Sequence, residues 1–204
     1  MSKTIKAVLP AKRPGTRTTL IFDDGTSLKL LPAVAAEQGL FPGLELEEED
    51  LVRLRSANGA ASAKQRAVRI ISAASVSQKD LEQRLIRKGE TPSDAQDAVR
   101  WLEELDLVDD TETARQIVAR GVSRGYGAER IRQMLYEKRI PRQYWDEALS
   151  AMPDMSGALE DFLRKRLGTE PDEKTRRSAV QAALRRGYTW PEINQALCQL
   201  KNEE

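Results

Sequence analysis

The chain has no histidine and only one cysteine, Cys198, among its 204 residues. Histidine is the commonest general base and metal ligand in proteins, so its absence excludes Ser-His and Cys-His catalysis. A single thiol excludes thiol-rich metal sites and a disulfide within the chain. No apolar run approaches the roughly 18 residues of a membrane-spanning helix, and the start, MSKTIKAVLPAKRPG, lacks the apolar segment of a signal peptide. We therefore expect a cytoplasmic protein with no metal, no cofactor and no membrane contact.

Aromatic residues are also scarce, at 5 %, whereas charged residues make up 32 %. This mixture is typical of solvent-exposed helices and poor in the bulky residues of sheets, so a mainly α protein is expected. Lys and Arg number 33 against 32 Asp and Glu, which leaves a net charge of +1. Because no global basic field attracts nucleic acid, any electrostatic site has to be local.

Residues 1–60 differ from the rest and predict a small α+β module. The stretch TTLIFDDGTSLKLLP places Asp24 and Gly25 between two runs rich in Thr, Leu, Ile and Phe, which is a β-hairpin signal. TIKAVLP, just before it, predicts a third strand. Pro32 and the acidic run at 47–50 predict the starts of two short helices.

A joint between this module and the body is expected at GAAS, residues 59–62. Asn58 and Gly59 favour the end of the second short helix, because both tolerate the left-handed conformation that stops a helix. The helical body is then expected to begin at residue 63.

From residue 63 onwards the chain repeats itself about every 50 residues. With a shift of 50, Lys88 falls on Lys138, and a further shift of 48 brings Lys138 onto Arg186. The tripeptides DAV, EAL and QAL occupy one place in the three copies. Periods of this length indicate stacked supersecondary units. We predict three tandem three-helix repeats that form an elongated curved body, at residues 63–110, 111–153 and 154–204.

Capping residues predict where the helices of a repeat begin and end. Ser77 and Thr91 are predicted N-caps, and Gly89 is predicted to close the helix between them. Asp109, with its neighbour Asp110, is predicted to cap the helix through ETARQIV rather than to bind a metal, because a third ligand is missing. Three tryptophans are interpreted as core anchors between helices: Trp101, Trp145 and Trp190.

Two stretches in a fixed order resemble the RecX regulators of bacterial recombination. LEELDLVDDTETAR, residues 102–115, and GYGAERIRQMLYEKRI, residues 125–140, match the family's pattern of Leu-Ile-Asp-Asp followed by Ile-x-x-x-Leu-x-x-Lys-Gly-Ile. SVSQKDLEQRLIRKG, residues 75–89, is similar to the family's first-repeat helix. The resemblance covers residues 63 to about 200, and the leading hairpin module is similar to the extension of longer members.

Three positions depart from the family pattern. Asp106 replaces the usual Gly, Thr113 replaces an aromatic residue, and Arg139 replaces the Gly of Lys-Gly-Ile. Aspartate visits the left-handed region more readily than most residues, so Asp106 is expected to leave its turn unchanged. Arginine does so at a higher steric cost, and the second helix of the middle repeat is therefore expected to end differently at Arg139.

The resemblance implies regulation rather than catalysis. RecX proteins bind the RecA filament on single-stranded DNA and suppress its ATPase, strand-exchange and coprotease activities. An array of repeats suits a partner that is itself periodic, because several weak contacts in register add to a useful avidity. We expect a monomer that regulates recombination, DNA repair and the SOS response and is not an enzyme. The resemblance leaves open whether it also contacts DNA directly.

Cations at equivalent repeat positions are the candidate partner contacts. Lys88, Lys138 and Arg186 fall in the last turn of each second helix, where a cation also interacts favourably with the helix dipole. The two roles are not separated by the sequence. The predicted partner-binding residues are Lys88, Arg124, Arg130, Arg132, Lys138, Arg139, Arg185 and Arg186.

The charge is unevenly distributed along the repeats. Residues 77–110 have a net charge of −5, whereas residues 111–150 and 155–190 each have +3. This polarity could orient the protein on a filament that contains negatively charged DNA. Ordinary solvated helix faces with intrahelical ion pairs explain the same charges without a partner.

Two other functions fit the sequence less well. A helix-turn-helix regulator would concentrate Arg, Asn and Gln on one recognition helix, which no helix here does. An enzyme would need an activated nucleophile or an acid-base pair, and no such group stands out. The alternative to a filament regulator is a helical-repeat protein that binds nucleic acid and acts on DNA directly.

Overall fold

The computed structural model describes residues 2–13, 15–169 and 171–202, and these residues form two compact units. The first unit comprises Met1–Ala74 and Leu81–Leu107, and the second comprises Ser75–Asp80 and Val108–Glu204. Glu170, one of the acids counted in the charge of the third repeat, lies outside the described residues. The expected architecture, mainly α with an amino-terminal β-hairpin module, is confirmed.

The elements follow one another in this order: β1 Lys3–Leu9, β2 Thr18–Phe22, β3 Ser27–Leu30, α1 Pro32–Glu37, β4 Glu45–Leu46, α2 Glu48–Ala73, α3 Gln78–Arg87, α4 Pro92–Glu104, α5 Asp110–Ser123, α6 Ala128–Glu137, a 3-10 turn Arg142–Tyr144, α7 Trp145–Ser150, α8 Ser156–Leu167, α9 Glu173–Arg185 and α10 Trp190–Asn202. Within the described residues, no helix combines the length and the apolar character that crossing a lipid bilayer requires.

The strands form one antiparallel sheet in the order β3-β2-β1-β4. The predicted hairpin is confirmed: Gly25 has a φ of 79°, which favours glycine, in the turn between β2 and β3. Strand β4 was not predicted, because two residues are too few to show an alternating pattern. One face of the sheet packs on α1 and on the first turns of α2, and the core contains Ile5, Leu20, Leu30 and Leu51.

Helix α2 does not end at Gly59, and the predicted helix stop there is wrong. The helix runs through the expected joint, so its second half supplies the first helix of the first repeat. The Asn58 side chain instead accepts a hydrogen bond from the backbone N–H of Leu31, at 2.8 Å. At Gly59, an added Cβ would lie 2.6 Å from Oδ2 of Asp94, in the first turn of α4. The two residues serve tertiary contacts on α2 rather than a helix end.

A chain of polar contacts joins the sheet to the first repeat through α2. The guanidinium of Arg17, before β2, donates to the Ser62 hydroxyl at 3.0 Å, and that hydroxyl donates to the Glu90 carboxylate at 3.1 Å. Glu90 also receives an ion pair from Arg66 at 2.7 Å, and its side chain is only 7 % exposed. Because these charges have lost most of their water, each depends on the others for compensation.

Helices α5, α6 and α7 enclose one apolar core in the second unit, and α8, α9 and α10 enclose another. The first core centres on Ile131 and Leu135, and the second on Leu163 and Ile193. In the first unit, α3 and α4 bury Leu81, Leu85 and Leu102, three leucines in the same register as the later cores. The repeated aliphatic positions of the sequence are therefore the positions that fill the cores.

The tryptophans do not share one role. The indole N–H of Trp145 donates to the carbonyl of Ile140 at 3.0 Å, and its ring packs on the core of α5 to α7, as expected of a core anchor. Trp101 is partly buried, with the Lys64 ammonium 5.0 Å from the ring centre. Trp190 is 59 % exposed, so its prediction as a core anchor is wrong. Buried Tyr188 fills the core near the start of α10 in its place.

We predict that Glu90→Ala lowers the free energy of unfolding by about 1–3 kcal/mol, because it leaves Arg66 and the Ser62 hydroxyl without their shared acceptor. Urea denaturation followed by circular dichroism measures the change. The matched control is Glu49→Ala, which removes an exposed ion pair with Arg53 on α2, the helix that also carries Ser62 and Arg66. It should change the free energy of unfolding by no more than about 0.5 kcal/mol. Equal losses in both variants would contradict the role given to Glu90.

Candidate functional site

The second helices of the three repeats, α3, α6 and α9, all end in the same way. Each places its repeated cation immediately after the last helical residue, and each following residue is left-handed: Gly89 at φ 91°, Arg139 at φ 56° and Gly187 at φ 86°. The next N–H then donates back to a carbonyl inside the helix, over 3.2, 3.1 and 3.2 Å. This hydrogen-bond pattern is a Schellman motif, and it fixes Lys88, Lys138 and Arg186 at one equivalent position.

Arg139 does not alter the end of α6, contrary to expectation. Its backbone adopts the left-handed conformation that glycine adopts in the other two repeats. The guanidinium of Arg139 lies 3.1 Å from Oδ1 of Asp80, whose carboxylate is only 8 % exposed. For an L residue this backbone costs about 1–2 kcal/mol. The ion pair with a buried carboxylate and the Schellman hydrogen bonds offset that cost. The turn at Asp106, at φ 54°, is unchanged, as expected.

The end of α6 meets the beginning of α3 within the second unit. The Ser77 hydroxyl accepts from the N–H of Asp80 at 3.1 Å, which confirms it as the N-cap of α3. The same hydroxyl donates to the carbonyl of Lys138 at 2.6 Å. One serine therefore satisfies an orphan amide at the start of one helix and an orphan carbonyl at the end of another. We call this contact the first junction.

The end of α9 meets the beginning of α6 in the equivalent way, at the second junction. The N–H of Gly127, the N-cap of α6, donates to the carbonyl of Arg186 at 2.9 Å, and the N–H of Glu129 donates to the carbonyl of Gly187 at 3.2 Å. A Cβ added to Gly187 would lie 2.1 Å from the backbone nitrogen of Arg130. One added to Gly127 would lie 2.3 Å from the oxygen of Gly187. No side chain fits at either glycine.

The two outer ends of this series are closed by side chains. The Arg66 guanidinium donates to the carbonyl of Lys88 at 3.1 Å, at the end of α3 in the first unit. At the other extreme, the Asp172 carboxylate accepts from the N–H of Thr175 at 2.7 Å, at the start of α9. Hydrogen bonds from the Thr175 side chain and, to a smaller extent, from its backbone N–H lower the pKa of Asp172.

Arg186 is half-buried and makes contacts within the fold. Its guanidinium donates to the carbonyl of Arg124 at 2.9 Å, at the end of α5, where a cation is favourable. It also lies 4.3 Å from the ring centre of Phe162 and 5.8 Å from that of Tyr126. Phe162 gave no signal in the sequence, because a phenylalanine on an amphipathic helix is ordinarily only a core residue.

Tyr188 completes the same contact. Its hydroxyl donates to the carbonyl of Gly125 at 3.1 Å. Burial raises the pKa of this hydroxyl, and the nearby Arg186 charge opposes that shift only in part, so Tyr188 stays protonated as a donor. In the loop at 124–127, the carbonyl of Gly125 and the N–H of Gly127 are therefore both occupied by residues that follow α9.

Four of the predicted partner-binding residues meet at the second junction: Arg124, Arg130, Arg185 and Arg186. We call them the junction cluster. Arg130 pairs with Glu137 at 3.1 Å, whereas no carboxylate among the described residues pairs with Arg124 or Arg185, both of which are exposed. Positive charge is thus concentrated where two helix ends meet.

The other four candidates lie elsewhere. Lys138 and Arg139 are at the first junction, and Arg132 forms an exposed pair with Glu129 on α6. Lys88 is exposed in the first unit. An exposed ion pair within one helix contributes little to stability, so it leaves Arg132 able to exchange partners.

The paired aspartates are capping residues in the structure. Oδ1 of Asp109 accepts from the N–H of Thr111 at 2.7 Å, which confirms the predicted N-cap of α5. Asp110 is buried and accepts from the N–H of Gln78 at 2.9 Å, at the start of α3. Among the described residues, no group of three or more Cys, Asp and Glu side chains is placed to hold a metal ion.

In the second unit, the three-helix groups α5 to α7 and α8 to α10 join through their second helices, and this arrangement is that of a helical-repeat protein. Residues 109–149 match the family model described as RecX, second three-helix domain. The chain is 31 % identical over 135 residues to the regulatory protein RecX of Xanthomonas axonopodis pv. citri, an alignment that covers 65 % of this chain and 83 % of that protein. It is 27 % identical over 198 residues to the regulatory protein RecX of Clostridioides difficile, with 94 % and 92 % covered.

A solved structure gives the same result for the fold. A crystal structure of a regulatory protein RecX superposes with a TM-score of 0.65 at 20 % identity and covers 95 % of this chain and 98 % of its own. The chain belongs to the RecX family of regulatory proteins.

We predict that Gly187→Ala destabilises the protein by at least about 2 kcal/mol more than Gly89→Ala does. Both substitutions place an L residue at positive φ after a second helix, which costs about 1–2 kcal/mol. Only Gly187 faces a neighbouring backbone, since nothing lies within 4 Å of a Cβ added at Gly89. Urea denaturation of the two variants measures the difference. Equal destabilisation would mean that α9 does not pack tightly on α6.

Proposed function

We propose that this protein regulates homologous recombination and DNA repair by binding the RecA filament on single-stranded DNA. Bound there, it inhibits the ATPase, strand-exchange and coprotease activities of RecA. The observation that supports this most directly is membership of the RecX family, with the match at residues 109–149 and similarity over nearly the whole chain. Regulation in this sense requires no chemistry from the protein itself.

The junction cluster is the part of the surface that we assign to the filament. Arg124 and Arg185 are exposed, are unpaired with any described carboxylate, and lie on helix ends brought together by Arg186. A concentration of guanidinium groups suits phosphate or carboxylate partners, because arginine binds both in a bidentate way. Lys138, also exposed, extends this surface towards the first junction, whereas Arg139 and Arg186 serve mainly to hold the repeats together.

Inhibition follows from binding alone if the protein prefers one state of the filament. A ligand that contacts neighbouring RecA protomers shifts them towards the arrangement it binds best, by as much as its affinities for the two states differ. The outer ends of the repeat series are closed by Arg66 and Asp172, which supports a monomer as the binding species in free solution.

We predict that the protein suppresses ATP hydrolysis by RecA on single-stranded DNA, and that Arg124→Glu with Arg185→Glu raises the half-inhibitory concentration at least about tenfold. Both reversals replace attraction by repulsion at exposed positions. Each also places a carboxylate at the carboxy-terminal end of a helix, which costs about 0.3–1 kcal/mol, so the melting temperature should fall only modestly. The matched control is Lys6→Glu with Arg69→Glu, two exposed cations of the first unit that change the net charge equally. LexA cleavage by RecA gives a second readout.

Binding to bare single-stranded DNA distinguishes a regulator of RecA from the alternative, a protein that acts on DNA directly. If the protein binds single-stranded DNA tightly but leaves ATP turnover unchanged at the same concentration, it acts on DNA directly and the regulator proposal is wrong. Equal inhibition by the double variant and the parent would instead overturn the assignment of the junction cluster, while regulation would stand.

We also predict that inhibition weakens as salt rises from low to physiological concentration. The later repeats each have a net charge of +3, and contacts between exposed charges are screened over about 8–10 Å at these ionic strengths. Displacement of counterions from DNA adds to the same dependence. Titrations of RecA turnover at several potassium chloride concentrations measure it. Inhibition that is independent of salt would indicate an apolar interface.

A further inference from the structure

A cavity of about 530 Å³ opens on the third repeat, between the end of α8, the loop after it and α10. Its apolar wall consists of Leu167, Leu197 and Leu200, which also pack on the core of α8 to α10. A ligand side chain placed here would extend that core. The volume lies within the ~300–1,000 Å³ that is usual for ligand sites in proteins.

The polar wall of the cavity is positively charged. Arg164, Arg176 and Lys201 line it, and no acidic or aromatic side chain does among the described residues. Arg164 already pairs with Asp161 at 3.2 Å, whereas no described carboxylate pairs with Arg176 or Lys201. An occupant that suits these walls combines an aliphatic side chain with neighbouring carboxylates. Unstacked nucleic-acid bases are a poor fit, because they bind on aromatic side chains.

A segment of this same chain has those properties and is exposed. Leu105 and Leu107, just after α4, are 50 % and 54 % exposed. Asp106 lies between them, and Glu103 and Glu104 precede them, all three exposed. The backbone is fixed by a Schellman motif, in which the N–H of Leu107 donates to the carbonyl of Leu102 at 2.9 Å. The leucines are therefore presented on a rigid turn, which lowers the entropy lost on binding.

The acidic residues of this turn oppose the helix that bears them. Carboxylates are unfavourable at the carboxy-terminal end of a helix, where the dipole is negative, and α4 has no basic residue in its last turn. The helix dipole therefore does not account for these charges. The acidic stretch at 44–51 is different, because Leu46 and Leu51 are buried in the sheet core.

We propose that the cavity of one copy receives the Leu105–Leu107 turn of a second copy, so that neighbouring molecules bind head to tail. The leucines enter the apolar wall, and Glu103, Glu104 and Asp106 face Arg176 and Lys201. A contact of this kind uses two different surfaces of the chain, so each copy can both receive a turn and offer one. One turn buries a small area, so the contact is short-lived in dilute solution, where a cross-linker still traps it. A periodic partner that holds copies side by side raises their effective concentration and strengthens the contact. The contact goes beyond the proposed function and can be measured without RecA.

Cysteine cross-linking tests this contact directly, because Cys198 lines the cavity and is the only cysteine. The natural chain is mixed with a tagged copy carrying Cys198→Ser and Leu107→Cys, and a short bismaleimide is added. The matched control copy carries Cys198→Ser and Val52→Cys, since Val52 is 55 % exposed and lies on α2. We expect at least about tenfold more mixed cross-linked dimer with Leu107→Cys, because docking raises the local thiol concentration. Equal yields would overturn the proposal.

Charge reversal distinguishes docking from chance proximity. Arg176→Glu with Lys201→Glu in the natural chain should abolish the excess of mixed dimer. Glu103→Arg with Glu104→Arg in the tagged copy should then restore it, because the charges are again complementary. Lys165→Glu with Lys174→Glu, two exposed cations outside the cavity, should leave the yield unchanged. An excess that survives the first reversal would overturn the electrostatic match.

Protection of the Cys198 thiol identifies the occupant. A peptide with the sequence of residues 102–109, LEELDLVD, should slow the reaction of Cys198 with a neutral pyridyl disulfide, whereas the same peptide with Ser for Leu should not. Protection by the peptide without cross-linking between copies would assign the cavity to an acidic segment of another protein and overturn self-association. Stronger protection by oligothymidylate than by the peptide would assign it to nucleic acid, with the same consequence.

Discussion

The whole repeat series depends on one contact, in which the carbonyl end of a second helix meets the amide end of the second helix before it. Helix ends leave backbone groups without partners, and each helix carries partial charges of opposite sign at its two ends. At the second junction the carbonyl of Arg186 takes the N–H of Gly127, and at the first the carbonyl of Lys138 takes the Ser77 hydroxyl. At each junction, a carbonyl at the end of one helix accepts a hydrogen bond from a group at the start of another, so the negative end of one helix dipole faces the positive end of the next.

The two junctions satisfy the backbone groups at their helix ends with different residues. A direct backbone hydrogen bond brings α9 so close to α6 that only glycine fits at positions 127 and 187. The Ser77 hydroxyl acts as a spacer at the first junction and leaves room for a side chain at the equivalent position, which is Arg139. That arginine then pairs with buried Asp80. The family departure at Arg139 is thus matched by a serine and an aspartate far away in the sequence, and the helix ends in the same way.

The geometry of the helix ends changes how the three repeated cations are interpreted. The equivalence of Lys88, Lys138 and Arg186 was visible as a spacing of about 50 residues, and both a dipole role and a partner role were open. The backbone carbonyls of these three residues accept hydrogen bonds from Arg66, Ser77 and Gly127. The repeated position is therefore, first of all, a helix end whose carbonyl is bound by a neighbouring group. The proposed partner contacts are side chains next to the joints, Arg124 and Arg185 above all. If that proposal holds, the same helix ends serve both the packing of the repeats and the contact with the filament.

The sequence by itself determined the local elements: the hairpin at Gly25, the caps at Ser77, Thr91 and Asp109, and the register of the repeats, because turn chemistry, capping and helical periodicity act over a few residues. It also identified the family. Tertiary structure alone decided that α2 continues through Gly59, that Trp190 is exposed and that Arg139 keeps the end of α6. Each of these depends on a partner distant in the chain, such as Asp94 for Gly59 or Asp80 for Arg139. A local sequence pattern cannot show a contact with a residue that is distant in the chain. The contact that overrides a local preference is therefore found only in the folded structure.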